Sequence, residues 1–392
     1  MSHFALTVSL MLLLAFVGRL SDASEEGLTQ QTLFVRGEGG YNIYRIPSLI
    51  VTPRGSLLAF CEGREAGDSS DIDMLLRRSD DGGKTWSERQ VVWDEGKNVC
   101  GNPCPVVDSD TGIIWLLMTW NNSEDRDEQL HEGTGKDTRR PFVCHSSDDG
   151  HTWSQPMEIT EGAKRDGWLW YATGPGVGIQ LRHESHKGRL VIPCDYTDKD
   201  GFGSHVILSD DHGKTWRIGG TVSGGANECQ VVELRDGTLV LNMRMQHNGD
   251  GRRGLATSRD GGETWSELVL DATLVDPICQ ASLIRYACSE TDEGDVLLFS
   301  NPAAPPLPGK TKRERAQMTV RLSLDGGKTW PFARLLHEGF SAYSCLAVMP
   351  DGTIGCLYEG GETAYSEIVF ARFALGWLKT ISLEKQDSQA NE

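Results

Sequence analysis

Positive charge is scarce in this chain: 38 Lys and Arg stand against 56 Asp and Glu, a formal net charge of −18 over 392 residues. Nucleic acid and anionic membrane surfaces reward basic patches, so neither is expected as the main partner. A small anionic ligand stays open, because a few arginines gathered at one point set a local potential whatever the total charge. Also missing is an apolar run long enough to cross a bilayer comfortably. The stretch at residues 4–17 has 14 residues, where about 20 are needed. Ser21 and Ala23 follow it at the −3 and −1 positions of a signal-peptidase site. Residues 1–23 are therefore expected to be a signal peptide, although His3 stands where a leader usually carries Lys or Arg. A retained amino-terminal anchor is the alternative. The mature chain is expected to lack a transmembrane segment and to be exported, whether secreted, periplasmic, on the cell surface or in a eukaryotic endolysosomal lumen.

Metal-site spacing is absent too. Cys100 and Cys104 are four apart, with no second pair and no His at zinc spacing, so no metal is expected. The ten cysteines lie mostly in apolar strand-like runs and read as buried thiols, with some disulfides open to an exported chain. Long helical patterns are lacking, and one short helix is expected within residues 124–132. No linker interrupts the chain. The Pro-rich segment 301–310 lies between strand-like runs and reads as a loop inside a repeat.

What the chain does have is repetition. The octet Ser-x-Asp-x-Gly-x-x-Trp occurs five times, starting at Ser79, Ser146, Ser209, Ser258 and Ser323 and ending at Trp86, Trp153, Trp216, Trp265 and Trp330. Asp accepts bonds from nearby backbone N–H groups, Gly permits positive φ and Trp packs beneath, which is the chemistry of a hairpin turn. The tryptophans are 67, 63, 49 and 65 residues apart. A mature chain of about 369 residues then holds about six units. The expectation is an all-β, six-bladed β-propeller over residues 24–380, with a polar tail over 381–392.

Several polar residues break the apolar strand patterns. Arg45 interrupts the run 42–51 and Arg244 the run 241–245, while Arg315 precedes 318–322 in competition with Arg313 and Arg321. Each alone also fits a surface strand, but a buried guanidinium needs a carboxylate-like partner, and three at a propeller axis would cradle one anion. Residues 62–73 hold Arg64 and five carboxylates among Gly and Ser, either a solvated loop or the mount for a general acid at Asp68 or Asp71. Glu228 enters an apolar strand, and Tyr343 sits in a short polar break. An ordinary strand-end carboxylate and a rim aromatic are the plain readings of these two.

Taken together, these pieces resemble the sialidase (neuraminidase) family. The residues are the YRIP at 44–47, the EGR at 62–64, the five octets, Glu228 in NECQVVEL, Arg244 in NMR, Arg315 ahead of MTVRLS and Tyr343 in FSAYS. The resemblance implies a six-bladed propeller with an axial active site that hydrolyses terminal α-linked sialic acids of oligosaccharides, glycoproteins or glycolipids, without metal or organic cofactor. It matches Arg45, Arg244 and Arg315 to a carboxylate clamp and Arg64 to a rim arginine. Asp68 matches the acid/base, with Asp71 in reserve. Tyr343 matches the nucleophile, Glu228 its base, and Glu359 the brace of the first clamp arginine. A tyrosine departs from the paired carboxylates of most glycosidases. A trans-sialidase or a non-catalytic sialic-acid-binding propeller are the alternatives.

Overall fold

The computed structural model describes residues 27–287, 294–309 and 312–380. The leader at 1–23, the tail at 381–392 and Cys288 lie outside the described residues. Within them the chain is an all-β propeller built from antiparallel meanders, in which the strand nearest the axis comes first. The opening unit runs Ile43–Val51, Leu57–Arg64, Ile72–Ser79 and Gln90–Trp93, each strand pairing with the one before. Its second strand is buried throughout. Sheets stacked on both faces remove the polar alternation of a half-exposed strand and leave near-continuous apolar runs.

The period predicts separate four-stranded sheets, and the hydrogen bonding departs from this. Three described sheets have four strands, one has five and one has eight. The eight-stranded sheet arises because Gln90–Trp93 covers only Met74, Leu75 and Leu76. The Ile72 end of the third strand stays open, meets Val99 in one parallel pair and so joins the next meander. In the five-stranded sheet, two short strands, Tyr171–Thr173 and Ile179–Gln180, share the place beside Leu190–Asp198.

The core lies between sheets. Leu49 and Leu57 of the opening unit pack with Cys345, Leu357 and Phe370 of the last one, which closes the ring. Closure is completed by the first described strand, Leu28–Val35, which pairs antiparallel with Glu367–Phe373. The sheet beginning at Ser344 thus takes three strands from one end of the chain and its outer strand from the other.

All five octets follow the end of a third strand. In the first, Ser79 Oγ accepts from Gly83 N at 2.9 Å and Asp81 Oδ1 accepts from Thr85 N at 2.9 Å. The other four repeat the Ser-to-Gly contact at 2.8–2.9 Å. The backbone N–H of Thr85, helped by its hydroxyl and by Ser79, overcomes burial and lowers the Asp81 carboxyl to about 2. Trp86 meets Phe370, Trp153 meets Phe60 and Trp216 meets Trp115, each ring lying in the preceding unit at 5.1–6.2 Å. The octet therefore fixes both a turn and a neighbour. The short helix expected within 124–132 forms at Asp127–Glu132. The Pro-rich loop joins Leu297–Pro302 to Ala316–Ser323 inside one sheet. The nine described cysteines are free and buried.

Candidate active site

In an up-and-down meander, first strands begin, second strands end and third strands begin at the same rim. The polar breaks fall at those points. Arg45 and Glu228 lie near the starts of first strands Ile43–Val51 and Ala226–Glu233, and Tyr343 directly precedes Ser344–Val348. Arg64, Arg244 and Glu359 sit at the ends of second strands Leu57–Arg64, Leu239–Met245 and Ile354–Gly360. Arg315 directly precedes Ala316–Ser323, and Asp68 occupies a second-to-third-strand loop. The octets occupy the opposite rim. Bulges turn the first strands inward, with register shifts between Arg45 and Ser48, Gly101 and Cys104, and Ala226 and Cys229. Ile46 takes φ 57° there, a costly conformation for a β-branched residue, and its N–H donates to Glu359 Oε1 at 2.8 Å.

These residues line one cavity of about 410 Å³, apart from Glu359, which lies behind Arg45, and Asp71, which stands outside the lining. Arg45 Nε and Nη2 donate to the two oxygens of fully buried Glu359 at 3.0 and 3.3 Å. Glu359 also accepts from Tyr343 N at 3.1 Å, so one carboxylate positions both Arg45 and Tyr343. Arg315 donates to Ile278 O at 2.7 Å and to Tyr365 Oη at 3.3 Å. Arg313, its competitor, bonds Ala304 O, and neither it nor Arg321 lines the cavity.

At the centre, Tyr343 Oη donates to Glu228 Oε1 at 2.5 Å. Arg244 Nη1 donates to both Tyr343 Oη, at 3.1 Å, and Glu228 Oε2, at 2.8 Å. The Arg45 and Arg315 guanidinium carbons lie 5.0 and 5.8 Å from the Tyr343 ring centre. Burial, and then Glu228, drive the phenol well above its ordinary value of 10, against the three arginines. The phenol is therefore neutral around neutral pH.

Asp68 sits differently. Its side chain is 57% exposed; it pairs with Arg64 and lies 3.5 Å from Arg45 Nη1. Burial would raise its pKa, but Arg64 and Arg45 together hold it below the ordinary value. Arg64 and Arg45 therefore favour the ionised form of Asp68, and a role as an acid requires a ligand that disturbs these pairs. Asp71 is raised by burial and by Asp94 and Glu65, but it stands away from the clamp.

Sequence reasoning left out several lining residues. Glu62 accepts from Arg64 Nε at 2.7 Å and from Asn102 N at 2.7 Å, bracing Arg64 much as Glu359 braces Arg45. Arg139 is buried, bonds Asn121 and Asn102 side chains at 3.0 and 2.8 Å, and stacks 4.0 Å from the Trp170 ring centre. Asp127 and His131 enter from the short helix, and Asp195 from Leu190–Asp198. Asp195 interrupts an apolar strand as Arg45 does, so the same signal was there to find it. Away from the cavity, Asp108, Asp110 and His212 come close enough to share an ion, but Gln180 Nε2 already donates to both carboxylates, at 2.7 and 3.0 Å.

Residues 55–356 match the BNR repeat-like domain family. The chain is 32% identical over 376 residues to an exo-alpha-sialidase of Aspergillus fumigatus, covering 86% of each chain. It is 33% identical to sialidase-2 of Cricetulus griseus, with 89% of this chain and 96% of that one covered. This chain belongs to the sialidase family.

A sialidase of Micromonospora viridifaciens is 38% identical over 366 residues, or 89% of this chain. This chain spans 54% of the length of that relative and 64% of a Bacteroides fragilis sialidase. Among solved structures, a Hadza microbial sialidase superimposes with TM-score 0.78 at 35% identity, covering 89% of this chain and 69% of that one. An intramolecular trans-sialidase of Ruminococcus gnavus shares the fold, with TM-score 0.72 at 22% identity, covering 89% of this chain and 98% of that one.

Proposed function

We propose that this chain is a retaining exo-α-sialidase. The observation that carries the reading is the Tyr343–Glu228 contact at 2.5 Å, with Arg244 bonded to both and two more arginines flanking the ring. A sialic acid bears its carboxylate on the anomeric carbon, so an anionic nucleophile would approach against like charge in a poorly screened site. A neutral phenol avoids that repulsion. Arg45, Arg244 and Arg315 take the sugar carboxylate. Tyr343 Oη then bonds to the anomeric carbon while Glu228 accepts the phenolic proton, and Asp68 gives a proton to the departing aglycone oxygen. In the second displacement Asp68 takes a proton from water. The water oxygen replaces Tyr343, which recovers its proton from Glu228. Two inversions give net retention.

The sugar carboxylate also weakens the hold of Arg45 on Asp68. A second anion on Arg45 competes for the charge that depresses Asp68 and favours its protonation. Arg64 borders the same pocket as a rim contact. Asp71, outside the lining, is the weaker candidate for the acid.

The substrates on this reading are sialylated oligosaccharides, glycoproteins or glycolipids, not nucleic acid. The leader-like 1–23 segment supports export, and among the described residues no helix is long and apolar enough to cross a membrane. For the fold we infer six blades. Support comes from the single pair joining the halves of the eight-stranded sheet. Leu58 and Phe60 of one half pack with Leu116 and Met118 of the other in one apolar cluster. Such stacking belongs to neighbouring blades, not to one continuous sheet.

Proton NMR of the first sugar released from sialyllactose tests the reading. Free α-sialic acid is expected first, mutarotating later. A β-anomer would remove the double displacement, a transfer product would replace hydrolysis, and no release would overturn the enzyme reading.

A further inference from the structure

Asp195 is a buried carboxyl that the mechanism does not use. It stands on the cavity wall with no solvent exposure. Its Oδ1 accepts from Trp170 Nε1 at 3.2 Å and Asn227 Nδ2 at 3.0 Å. Its Oδ2 is buried and has no hydrogen-bond partner among the described residues. Across its strand it sits between Ala172 and Ser204, neither charged. The charged groups bearing on it from other elements are Glu228, Arg139 and Arg244. An ionised carboxylate would leave one oxygen anionic, dry and unbonded, which is among the costliest placements for a charge. A carboxylic acid places the two donors on its carbonyl oxygen and its proton on the other.

We propose that Asp195 is a positioning residue that holds its proton in the working enzyme, orienting Trp170 and Asn227 while sparing an anionic sugar one negative charge on the cavity wall. Burial, and then Glu228, raise its pKa well above the ordinary value, against Arg139, Arg244 and Trp170. The charge count gives the proton its purpose. Five arginines and five carboxyl groups line the cavity. With Glu359 paired to Arg45, full ionisation would set six carboxylates against these five arginines, and one retained proton removes the negative excess that an anionic ligand would meet. His131 does not alter this, since burial lowers it to about 4. The inference rests on the sialoside reading of the site.

Asp195→Asn imitates the protonated acid, with an amide N–H in place of the O–H. The test is the Kd of free sialic acid for wild type and D195N from about pH 5 to about pH 9, beside their melting temperatures. D195N is expected to keep the wild-type affinity within a few-fold across this range, because the amide carries the same neutral charge as the protonated acid. A D195N whose affinity differs from that of wild type by about tenfold or more throughout the range would overturn the assignment by marking an ionised carboxylate whose charge the ligand feels. No binding by either protein at any pH would instead overturn the sialoside reading, and this inference with it. Should D195N not fold, infrared spectroscopy of the wild type decides. A protonated-carboxyl band must persist above the range where Asp73, raised to about 6, titrates, and its absence there sinks the proposal.

Discussion

Tyr343 and Asp68 sit in opposite electrostatic settings, and substitutions at the two should separate cleanly. Tyr343→Phe deletes the oxygen proposed to attack, and little volume. Hydrolysis should fall by at least about 10³-fold while affinity for free sialic acid stays within a few-fold. Aryl-sialoside turnover near the wild-type rate would remove the nucleophile assignment. Asp68→Ala should cost about 10²–10⁴-fold on substrates whose leaving group needs a proton, and much less on activated aryl sialosides. Equal losses on both would move the acid elsewhere. The sequence exposed the members of this group that interrupt apolar strands: Arg45, Arg244 and Glu228. It hid Arg139, which sits beside Arg140 in a polar stretch, and it hid the ionised resting state of Asp68. That state depends on Arg45 and Arg64 meeting it in space, a contact that no local pattern records.

At the scale of the element, the octet turns act through their aspartates, and those carry a pH signature. Asp81 and Asp148 are lowered to about 2, chiefly by the backbone N–H and hydroxyl of the following threonine. A carboxylate with a depressed folded pKa stabilises above its unfolded value, about 3.9, and that stabilisation is lost as pH falls through about 2. Asp148→Asn should therefore lower the melting temperature at neutral pH, with the gap to wild type closing as pH drops from about 4 to about 2. A gap constant across that range would show that the turn does not depend on the charge. The octet turns were legible because their Ser and Asp hydrogen bonds are local, with partners within four residues. The pairing of Ile72 with Val99 was not, because it follows from how far a short outer strand reaches.

For the molecule as a whole, closure depends on a strand that carries no motif. Leu33 and Phe34 of Leu28–Val35 are buried in the cluster that joins the first and last units. Phe34→Ala should cost about 3–5 kcal/mol, read as a lower urea midpoint, although Phe34 lies outside the cavity lining. A loss below about 1 kcal/mol would mean that the ring does not rely on this strand. The all-β repeat was legible in the octet period. The closing strand was not, because the chain end that completes a ring is a question of three-dimensional register.

The Arg45–Glu359 pair joins residues 314 positions apart. During synthesis, at about 5–20 residues per second, the arginine waits roughly 15–60 s for its carboxylate to be made. Burying that guanidinium beforehand would leave an uncompensated charge, which holds the first sheet back from its final packing. Tyr343 also emerges late and takes its place from the same carboxylate. A partly made chain thus has neither Arg45 nor Tyr343 held in place, so the cavity is complete only when the ring is whole.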